Sequence, residues 1–495
     1  MRAEPLESLP EVAALVVLAG VAYVVGVAWA MAHMSYDIVG GLIIVPVLAG
    51  LTVPLITRRA RREGDHRLVR ILVLAVVVKL VVGPVIRYGV IQEVYGGVAD
   101  AQGYHGAGRL IAGALRDGRL PADLGGGGDG TQAINLITGL VYTVTGVTEL
   151  GGFVVFSWLA LLGLFGFFAA FRLAFPDGDH HRYAKLVFFL PTMVFWPSSL
   201  GKEAWLVLCL GLATYGVASL LTRHPGGFTC LALGLGGGTL VRPHMAMLVF
   251  VALVPAYLVR RSPPGRRRRS LAKAAGIATL AMLGIFLSGQ FVEYFKLDDL
   301  SQSSIDELLE RTGEQTGTGG SVYEPVNAAA NPVLVPFAVF TVVARPLPTE
   351  THNAQALVAS LEGLFLLGLL AWSWRRVLAA GRRFLRSPFL AFALTYGLLF
   401  CVAFSSIGNF GILARQRVQL YPLLVVVLAL PAAWHRSAER AAPPSVGRTP
   451  PRWVPVHRLM PQAARTAFTG ECPDATLGRA RPRGRDHPWR SGREG

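Results

Sequence analysis

The sequence predicts an all-α fold, a polytopic bundle of about twelve transmembrane helices with two further re-entrant or interfacial segments. Three observations predict it. Of the 495 residues, 53% are hydrophobic and only 16% are charged, whereas about a quarter of an average soluble domain is charged. Many apolar residues form runs close to the roughly 20 residues that a helix needs to cross the hydrocarbon. Short Arg-rich loops separate some of these runs, as is typical of the cytoplasmic side of a membrane protein.

The first apolar run begins near Val12 and continues to about Met31 without a cleavage pattern. A removed signal peptide would start with a basic stretch, so we interpret this run as the first spanning helix. The three strongest basic loops, at 58–67, 260–269 and 375–386, are expected in the cytoplasm. The spans that fit between them are 11–32, 38–57, 68–92, 151–173, 185–199, 203–222, 228–241, 244–259, 273–290, 354–373, 389–407 and 417–434. The chain is then a multi-pass protein of the cell membrane with both termini cytoplasmic.

Two shorter apolar stretches, at 133–147 and 332–343, are predicted to be re-entrant or interfacial because neither reaches the length of a span. The transmembrane domain covers 1–434, with extracytoplasmic loops near 93–150 and 291–353. Residues 435–495 are rich in Pro and Arg and have little apolar periodicity. This composition predicts a disordered basic cytoplasmic tail.

The basic excess indicates membrane lipids as a partner and argues against nucleic acid. Lys and Arg number 47 against 30 Asp and Glu, which gives a net charge of +17. Most of this excess lies in the predicted cytoplasmic loops and the tail, where Arg-rich segments beside anionic lipid are expected. The few basic residues on the predicted outer face are the ones that need a functional reason.

Asp100 is the best candidate for a catalytic carboxylate. It follows the third predicted span and precedes an amphipathic stretch, which places it at the outer membrane surface. There a carboxylate can take a proton from a hydroxyl nucleophile or hold a divalent cation, the one cofactor considered. Alternatively, Asp100 only caps the helix that follows. His105 is expected to be its catalytic partner or an interfacial residue, and Tyr104 to contact the substrate.

The segment 195–203, FWPSSLGKE, predicts an anion site. Ser198 or Ser199 can cap the helix that follows, and the free amides at its start would bind an anion such as phosphate. Lys202 in the first turn is opposed by the helix dipole unless an anion is present. Alternatively, Lys202 snorkels to the interface or pairs with Glu203, which is otherwise a candidate substrate contact.

Two later turns carry further bases on the predicted outer face. Arg242 and His244 lie between two short helices, and we expect Arg242 to bind phosphate and His244 to contact the substrate. Arg415 and Arg417 open the last span, and guanidinium groups suit phosphate or pyrophosphate because they bind it through two parallel hydrogen bonds. Each of the two turns could instead hold an ordinary interfacial anchor.

Two short motifs resemble those of polyprenyl-phosphate-dependent glycosyltransferases of the GT-C superfamily. They are the segment 100–108 (DAQGYHGAG), which leads into an amphipathic helix, and the segment 415–422 (RQRVQLYP), which opens the last span. The segment 195–203 is also similar to one in bacterial exopolysaccharide polymerase-like membrane proteins. The general layout matches from about 68 to 434.

The resemblance implies an inverting transfer on the outer face, from a polyprenyl-phosphate sugar donor to a glycan or lipid acceptor. The first-loop carboxylate would then be the base or a metal ligand, and the basic residues would hold the phosphate. Many such enzymes carry two adjacent acids in that loop, whereas Asp100 stands between two alanines. Either Asp100 acts alone, or Glu93 or Asp123 completes the pair, or the resemblance is only architectural.

These observations favour a membrane glycosyltransferase or polymerase in cell-envelope glycan assembly, because acid, His, Lys and Arg candidates collect on one face. The alternative is a secondary transporter or lipid-linked oligosaccharide flippase, since about twelve spans with both ends inside is also a transporter layout. A transporter should have related halves and ionisable groups near the midplane, whereas this sequence has no convincing half-to-half match. A scaffold without catalytic activity is the third possibility.

Overall fold

The computed structural model of the chain describes residues 9–121, 123–260, 268–318 and 321–431. The predicted tail, 435–495, and most of the basic loop 260–269 lie outside these residues. Within the described ranges the regular secondary structure is helical, apart from one isolated β-bridge between Val322 and Asn409. The all-α prediction is therefore confirmed for this part of the chain.

The helices of the first half are α1 Leu9–His33, α2 Tyr36–Arg62, α3 His66–Val94, α4 Asp100–Arg116, α5 Asp129–Thr145, α6 Glu149–Ala174, α7 His180–Phe189, α8 Pro191–Phe195 and α9 Lys202–Thr222. Those of the second half are α10 Gly227–Thr239, α11 Pro243–Val259, α12 Arg268–Phe295, α13 Gln302–Thr316, α14 Val335–Ala344, α15 Ala354–Trp372, α16 Trp374–Arg383, α17 Pro388–Phe404, α18 Phe410–Gln416 and α19 Tyr421–Leu424. Two π-helical turns, Val78–Val82 and Val90–Val94, belong to α3.

Five helices of the described chain are long and apolar enough to cross a membrane, namely α2, α3, α6, α9 and α15. Two helix pairs, within 374–404 and 410–429, pass the same test but bend by 112° and 57°. Counting each pair as one span gives up to seven. The sequence-based number of about twelve is larger because it includes shorter apolar helices such as α10, which has 13 residues.

The predicted span 185–199 is broken into two pieces. α7 ends at Phe189, and α8 covers only the five residues from Pro191. Proline has no backbone N–H and disfavours helical geometry in the residue before it, so the break falls at Leu190, whose ψ is 134°. A helix this short leaves most of its backbone polar groups without partners inside the helix.

Two buried charged side chains satisfy the ends of α8. The carboxylate of Glu362 accepts hydrogen bonds from the backbone N (3.0 Å) and Oγ1 (2.5 Å) of Thr192, at the start of the helix. The ammonium group of Lys79 donates to the carbonyl of Met193 (3.2 Å), near its end. The helix dipole attracts an anion at the N-terminus and a cation at the C-terminus, so both contacts are favourable. These contacts stabilise an irregular segment inside the bundle.

α6 and α9 pack with their backbones in contact through small residues. A Cβ built on Gly211 would lie 2.0 Å from the carbonyl oxygen of Gly163, and one built on Gly163 would lie 2.2 Å from that of Val207. Helices in a membrane commonly associate through such glycine surfaces, because close approach maximises van der Waals contact. The contact places the start of α9, with Lys202 and Glu203, against the helical core.

Replacing Gly211 by valine is expected to lower the free energy of unfolding by at least the roughly 1–3 kcal/mol typical of an overpacked core. The added methyls would meet backbone atoms, which cannot move aside as a flexible side chain can. Gly236→Val is the matched control, since it also lies in a helix but has nothing within 4 Å of its Cβ position. Thermal unfolding in detergent should separate the two variants, and equal melting temperatures would contradict this account of the α6–α9 contact.

The contacts at the helix ends define two ends of the bundle. At one end, Arg172 forms an ion pair with Glu63, and His181 lies 3.0 Å from the carboxylate of Asp65, beside the basic loop 58–67. We call this the basic end. The helices that leave it, including α3, run to the opposite end, where α4 begins at Asp100 and α9 at Lys202.

The segment between α3 and α6, which the sequence predicts to be the first extracytoplasmic loop, forms two packed helices, α4 and α5. A Cβ on Gly139 would lie 2.2 Å from Cγ2 of Ile111, so glycine lets the two helices touch. Gly130, at the start of α5, approaches the carbonyl of Val241 in the same way. These contacts bring α4 and α5 next to the turn that carries Arg242.

Candidate functional site

Asp100 is the first residue of α4 and does not cap it. Ala99 is the N-cap, with extended φ and ψ of −152° and 160°, and the helix start has no side-chain cap. The Asp100 carboxylate instead accepts a hydrogen bond from Nη1 of Arg415, 315 residues away in sequence, at 2.8 Å. Its side chain is 67% exposed, so the carboxylate remains open to a ligand.

Arg415 also faces a second carboxylate. Its Nε lies 3.2 Å from Oε1 of Glu203, the second residue of α9, and the same oxygen lies 3.6 Å from Nη2 of Arg242. The side chains of Glu203 and Arg242 are only 11% and 12% exposed. Asp100, Arg415, Glu203 and Arg242 thus form a row of alternating charge, which we call the charge cluster.

The charge cluster borders a cavity of about 280 Å³. Residues of the cavity wall that carry a charge or a side-chain hydroxyl are Arg87, Tyr95, Asp100, Tyr104, Ser199, Glu203 and Arg415. Arg242 is not part of the cavity wall. Its guanidinium lies 3.6 Å from the carboxylate of Glu203 and donates a hydrogen bond to the side-chain oxygen of Gln416. Three parts of the chain that lie far apart in sequence therefore contribute charged groups to one space.

Tyr104, one helical turn after Asp100 on α4, also lines this cavity. Its side chain is buried, and burial together with the neighbouring carboxylates of Glu203 and Asp100 raises its pKa. The phenol therefore stays protonated and can donate a hydrogen bond to a ligand. Tyr104 and Asp100 are four residues apart, which puts them on the same face of the helix.

The predicted cap of the helix at 200 is not present. α9 begins at Lys202, its N-cap is Gly201, and no side chain caps it. Ser198 instead donates to the carbonyl of Val194 (2.5 Å) and accepts from Lys79 (2.8 Å). The ammonium group of Lys202 donates to Oγ1 of Thr131 on α5 at 2.9 Å, at the edge of the charge cluster and outside the cavity wall.

The two candidate histidines lie away from the cavity. His105 shares a 2.8 Å hydrogen bond with the hydroxyl of Tyr142 on α5, and burial lowers its pKa, so the ring is neutral at pH 7. His244 packs among the rings of Tyr294, Phe295 and Phe404, with centroid distances of 6.0, 5.5 and 6.2 Å. Neither ring contacts the charge cluster.

Arg417 lies inside the protein, separate from the other candidate bases. It is 1% exposed, and its Nε donates to the carbonyl of Val342 at 2.7 Å. Its Nη2 donates to the carbonyl of Arg345, just after α14. A guanidinium at this position donates hydrogen bonds to the last carbonyls of a helix, and its positive charge interacts favourably with the negative end of the helix dipole. This placement favours a structural role over phosphate binding.

Replacing Arg417 by glutamine is expected to lower the melting temperature while leaving the activity of each folded molecule close to that of the wild type. The variant loses hydrogen bonds from a charged donor, which are worth about 1.5–3 kcal/mol each. Arg311→Gln is a suitable control, since Arg311 is exposed and pairs only with Glu307 among the described residues. A large loss of activity in fully folded Arg417→Gln protein would restore the phosphate-binding interpretation.

The described residues contain no group of three or more His, Cys, Asp or Glu side chains arranged to hold a metal ion. No family model, no curated protein and no solved structure matches the chain. The site must therefore be interpreted from its own geometry.

Arg87 lines the cavity but was not predicted as a site residue. It is 8% exposed, and its guanidinium stacks on the rings of Phe195 (4.7 Å) and Trp196 (5.1 Å). A charged residue within an apolar span is a signal in the sequence. What the sequence does not reveal is which partners surround it, because α3 and the 195–203 segment meet only in the folded chain.

Proposed function

We propose that the protein is a membrane glycosyltransferase or polymerase that uses a polyprenyl-phosphate-linked sugar on the extracytoplasmic face for cell-envelope glycan assembly. The observation that carries the proposal is the charge cluster, in which the exposed carboxylate of Asp100 and the guanidinium of Arg415 border one cavity, whose wall also includes the buried Arg87. The resemblance of the segments 100–108 and 415–422 to GT-C enzymes supports it, because Asp100 and Arg415 belong to these segments and bind each other.

The arrangement suits attack by an acceptor hydroxyl on the anomeric carbon of a lipid-phosphate sugar. The new bond joins the acceptor oxygen to that carbon, the bond from the carbon to the phosphate oxygen breaks, and its electron pair goes to the phosphate. Asp100 takes the hydroxyl proton. Arg415 stabilises the negative charge that develops on the phosphate, as a preorganised guanidinium can.

The balance of charge around the cavity favours an anionic ligand. Arg87, Arg415 and the adjacent Arg242 outnumber the two acids, Asp100 and Glu203. A phosphate that binds Arg415 would compete with Asp100 for the guanidinium and would leave the carboxylate free to act as a base. The ion pair between Asp100 and Arg415 is then the state of the site without substrate, and the phosphate of the substrate breaks this pair.

The two ends of the bundle indicate which side of the membrane the cavity faces. The basic loop 58–67 lies at the basic end, and the cavity lies at the other end. The positive-inside rule assigns the basic end to the cytoplasm and the cavity to the outer face. With about twelve spans, both termini would be cytoplasmic.

A transporter or flippase remains the second candidate because Lys79 and Glu362 are buried charged residues inside candidate spans. Intramembrane ionisable groups often mark transport paths. Here both groups bind α8, which gives them a structural explanation. That explanation favours the transferase.

Reconstitution into vesicles that contain lipid-linked sugars separates the two functions. A transferase cleaves the sugar from its lipid phosphate, and the labelled sugar appears in a new product. A flippase leaves the lipid-linked sugar intact and exposes it to a membrane-impermeant oxidant on the far side. We expect cleavage and transfer, and translocation without cleavage would overturn the proposal.

A further inference from the structure

A second, larger cavity adjoins the polar cavity. It has a volume of about 650 Å³ and lies between α3 and α15, and residues of α8 form another part of its wall. Its wall is mostly apolar and includes Ile86 and Val94 of α3, Pro191 and Phe195 of α8, and Val358 and Ala359 of α15. We call this cavity the apolar groove. A space of this size and composition suits a hydrocarbon chain and offers few hydrogen-bond partners to a sugar.

The apolar groove opens on the outside of the bundle. Ile86, Val94 and Val358 on its rim are 49%, 71% and 51% exposed. α3 and α15 are both candidate membrane spans, so the residues of the rim would face lipid. A lipid chain could enter sideways from the bilayer without crossing water.

The two cavities share part of their walls. Tyr95 and Trp196 line both the polar cavity and the apolar groove. Arg87 lies at this junction, where its guanidinium stacks on Trp196 and lies 5.7 Å from the ring centroid of Tyr95. A molecule with one charged end and one apolar end could therefore occupy both spaces.

Arg87 has unused hydrogen-bonding capacity at the junction. Although the residue is 92% buried, its Nε and Nη1 atoms have no hydrogen-bond partner among the described residues. Buried guanidinium groups are normally paired, because an unsatisfied buried charged donor is costly. The free Nε–H and Nη1–H groups lie on different edges of the guanidinium, so each can donate a separate hydrogen bond to an anion. These free donors lie at the junction of the two cavities and can bind an anion beside the apolar groove.

We propose that Arg87 and the apolar groove together bind a monophosphorylated isoprenoid lipid, with the phosphate on Arg87 and the first isoprene units between α3 and α15. This assignment rests on the proposed function, because it names where the donor lipid lies at the same site. It adds Arg87, in the third predicted span, to Arg415 as a phosphate contact, in place of the predicted Lys202 and Arg417, which bind Thr131 and backbone carbonyls.

The test uses farnesyl monophosphate that carries a tritium label and a photoactivatable diazirine at its far end. The full-length protein is held in lipid nanodiscs, photolysed with the probe and digested, and the labelled peptides are identified. We expect label on the groove faces of α3 and α15. Unlabelled farnesyl monophosphate should compete, while farnesol or inorganic phosphate at the same concentration should not. Competition by farnesol alone would indicate a purely apolar site, competition by inorganic phosphate alone would indicate a simple anion site, and either would overturn the proposal.

Variants test the two halves of the site separately. Arg87→Gln should reduce specific labelling about tenfold, and Arg87→Lys should retain part of it because the charge remains. Ala359→Trp, which fills the groove, should reduce labelling to a similar extent. Leu361→Trp is its control, since Leu361 is on the same helix, 55% exposed and outside the groove wall. Unchanged labelling in folded Arg87→Gln or Ala359→Trp protein would refute the assignment.

The outcome is distinguishable from failure of the transferase proposal. If farnesyl monophosphate labels the groove as expected but vesicles show no sugar transfer, the lipid site stands and the transferase fails. If transfer occurs while the label maps to other helices, the transferase stands and the groove assignment is wrong.

Discussion

Replacing Asp100 by asparagine is expected to reduce sugar transfer about 10²–10⁴-fold, the range that a positioned general base contributes. Asparagine keeps the size of the side chain and can still accept a hydrogen bond from Arg415, so the fold should persist. It cannot take up the acceptor proton at neutral pH. The measurement is the amount of labelled envelope glycan in cells whose single copy of the gene encodes the variant, normalised to protein in the membrane.

Asp129→Asn is the matched control for this substitution. Asp129 is the first residue of α5, as Asp100 is of α4, and it is also exposed. It lies outside the cavity wall, so its loss should leave glycan synthesis unchanged. Wild-type glycan levels with Asp100→Asn would rule out Asp100 as the base.

Replacing Glu203 by glutamine is expected to destabilise the protein by about 3–5 kcal/mol, as breaking a buried ion pair typically does. The carboxylate lies between Arg415 and Arg242, and its removal leaves two guanidinium groups facing each other with less compensation. The free energy of unfolding should be measured by denaturant titration of detergent-solubilised protein. Transfer activity should fall as well, because Arg415 loses the group that positions it.

Glu307→Gln provides the comparison. Glu307 pairs with Arg311 on the surface of α13, where both side chains are more than half exposed. Exposed pairs of this kind contribute about 0.3–0.5 kcal/mol. If Glu203→Gln is as stable as Glu307→Gln, the cluster is too hydrated to behave as a buried network.

Long apolar runs made much of the fold predictable. The run at 68–92 is long enough to specify a span, and the structure has α3 at His66–Val94. The span predicted at 185–199 is two short helices instead of one, because hydropathy averages over Pro191, whereas Glu362 and Lys79 stabilise a broken helix there through contacts distant in sequence.

Helical periodicity explains which site residues came together. Asp100 and Tyr104 are four residues apart and share the cavity, whereas His105 points to α5 and contacts Tyr142. Arg415 and Arg417 are two residues apart, so they project to different sides, one to the cavity and one to the end of α14. Treating them as one phosphate-binding pair ignored this geometry.

The most direct test of the central claim is single-turnover transfer by purified protein preloaded with a lipid-linked sugar, measured for the wild type and for Asp100→Asn. Both proteins should bind the donor equally, because the apolar groove and Arg87 are intact in each. The account predicts rapid transfer to an acceptor by the wild type and almost none by Asp100→Asn. Equal transfer rates for the two loaded proteins would contradict it.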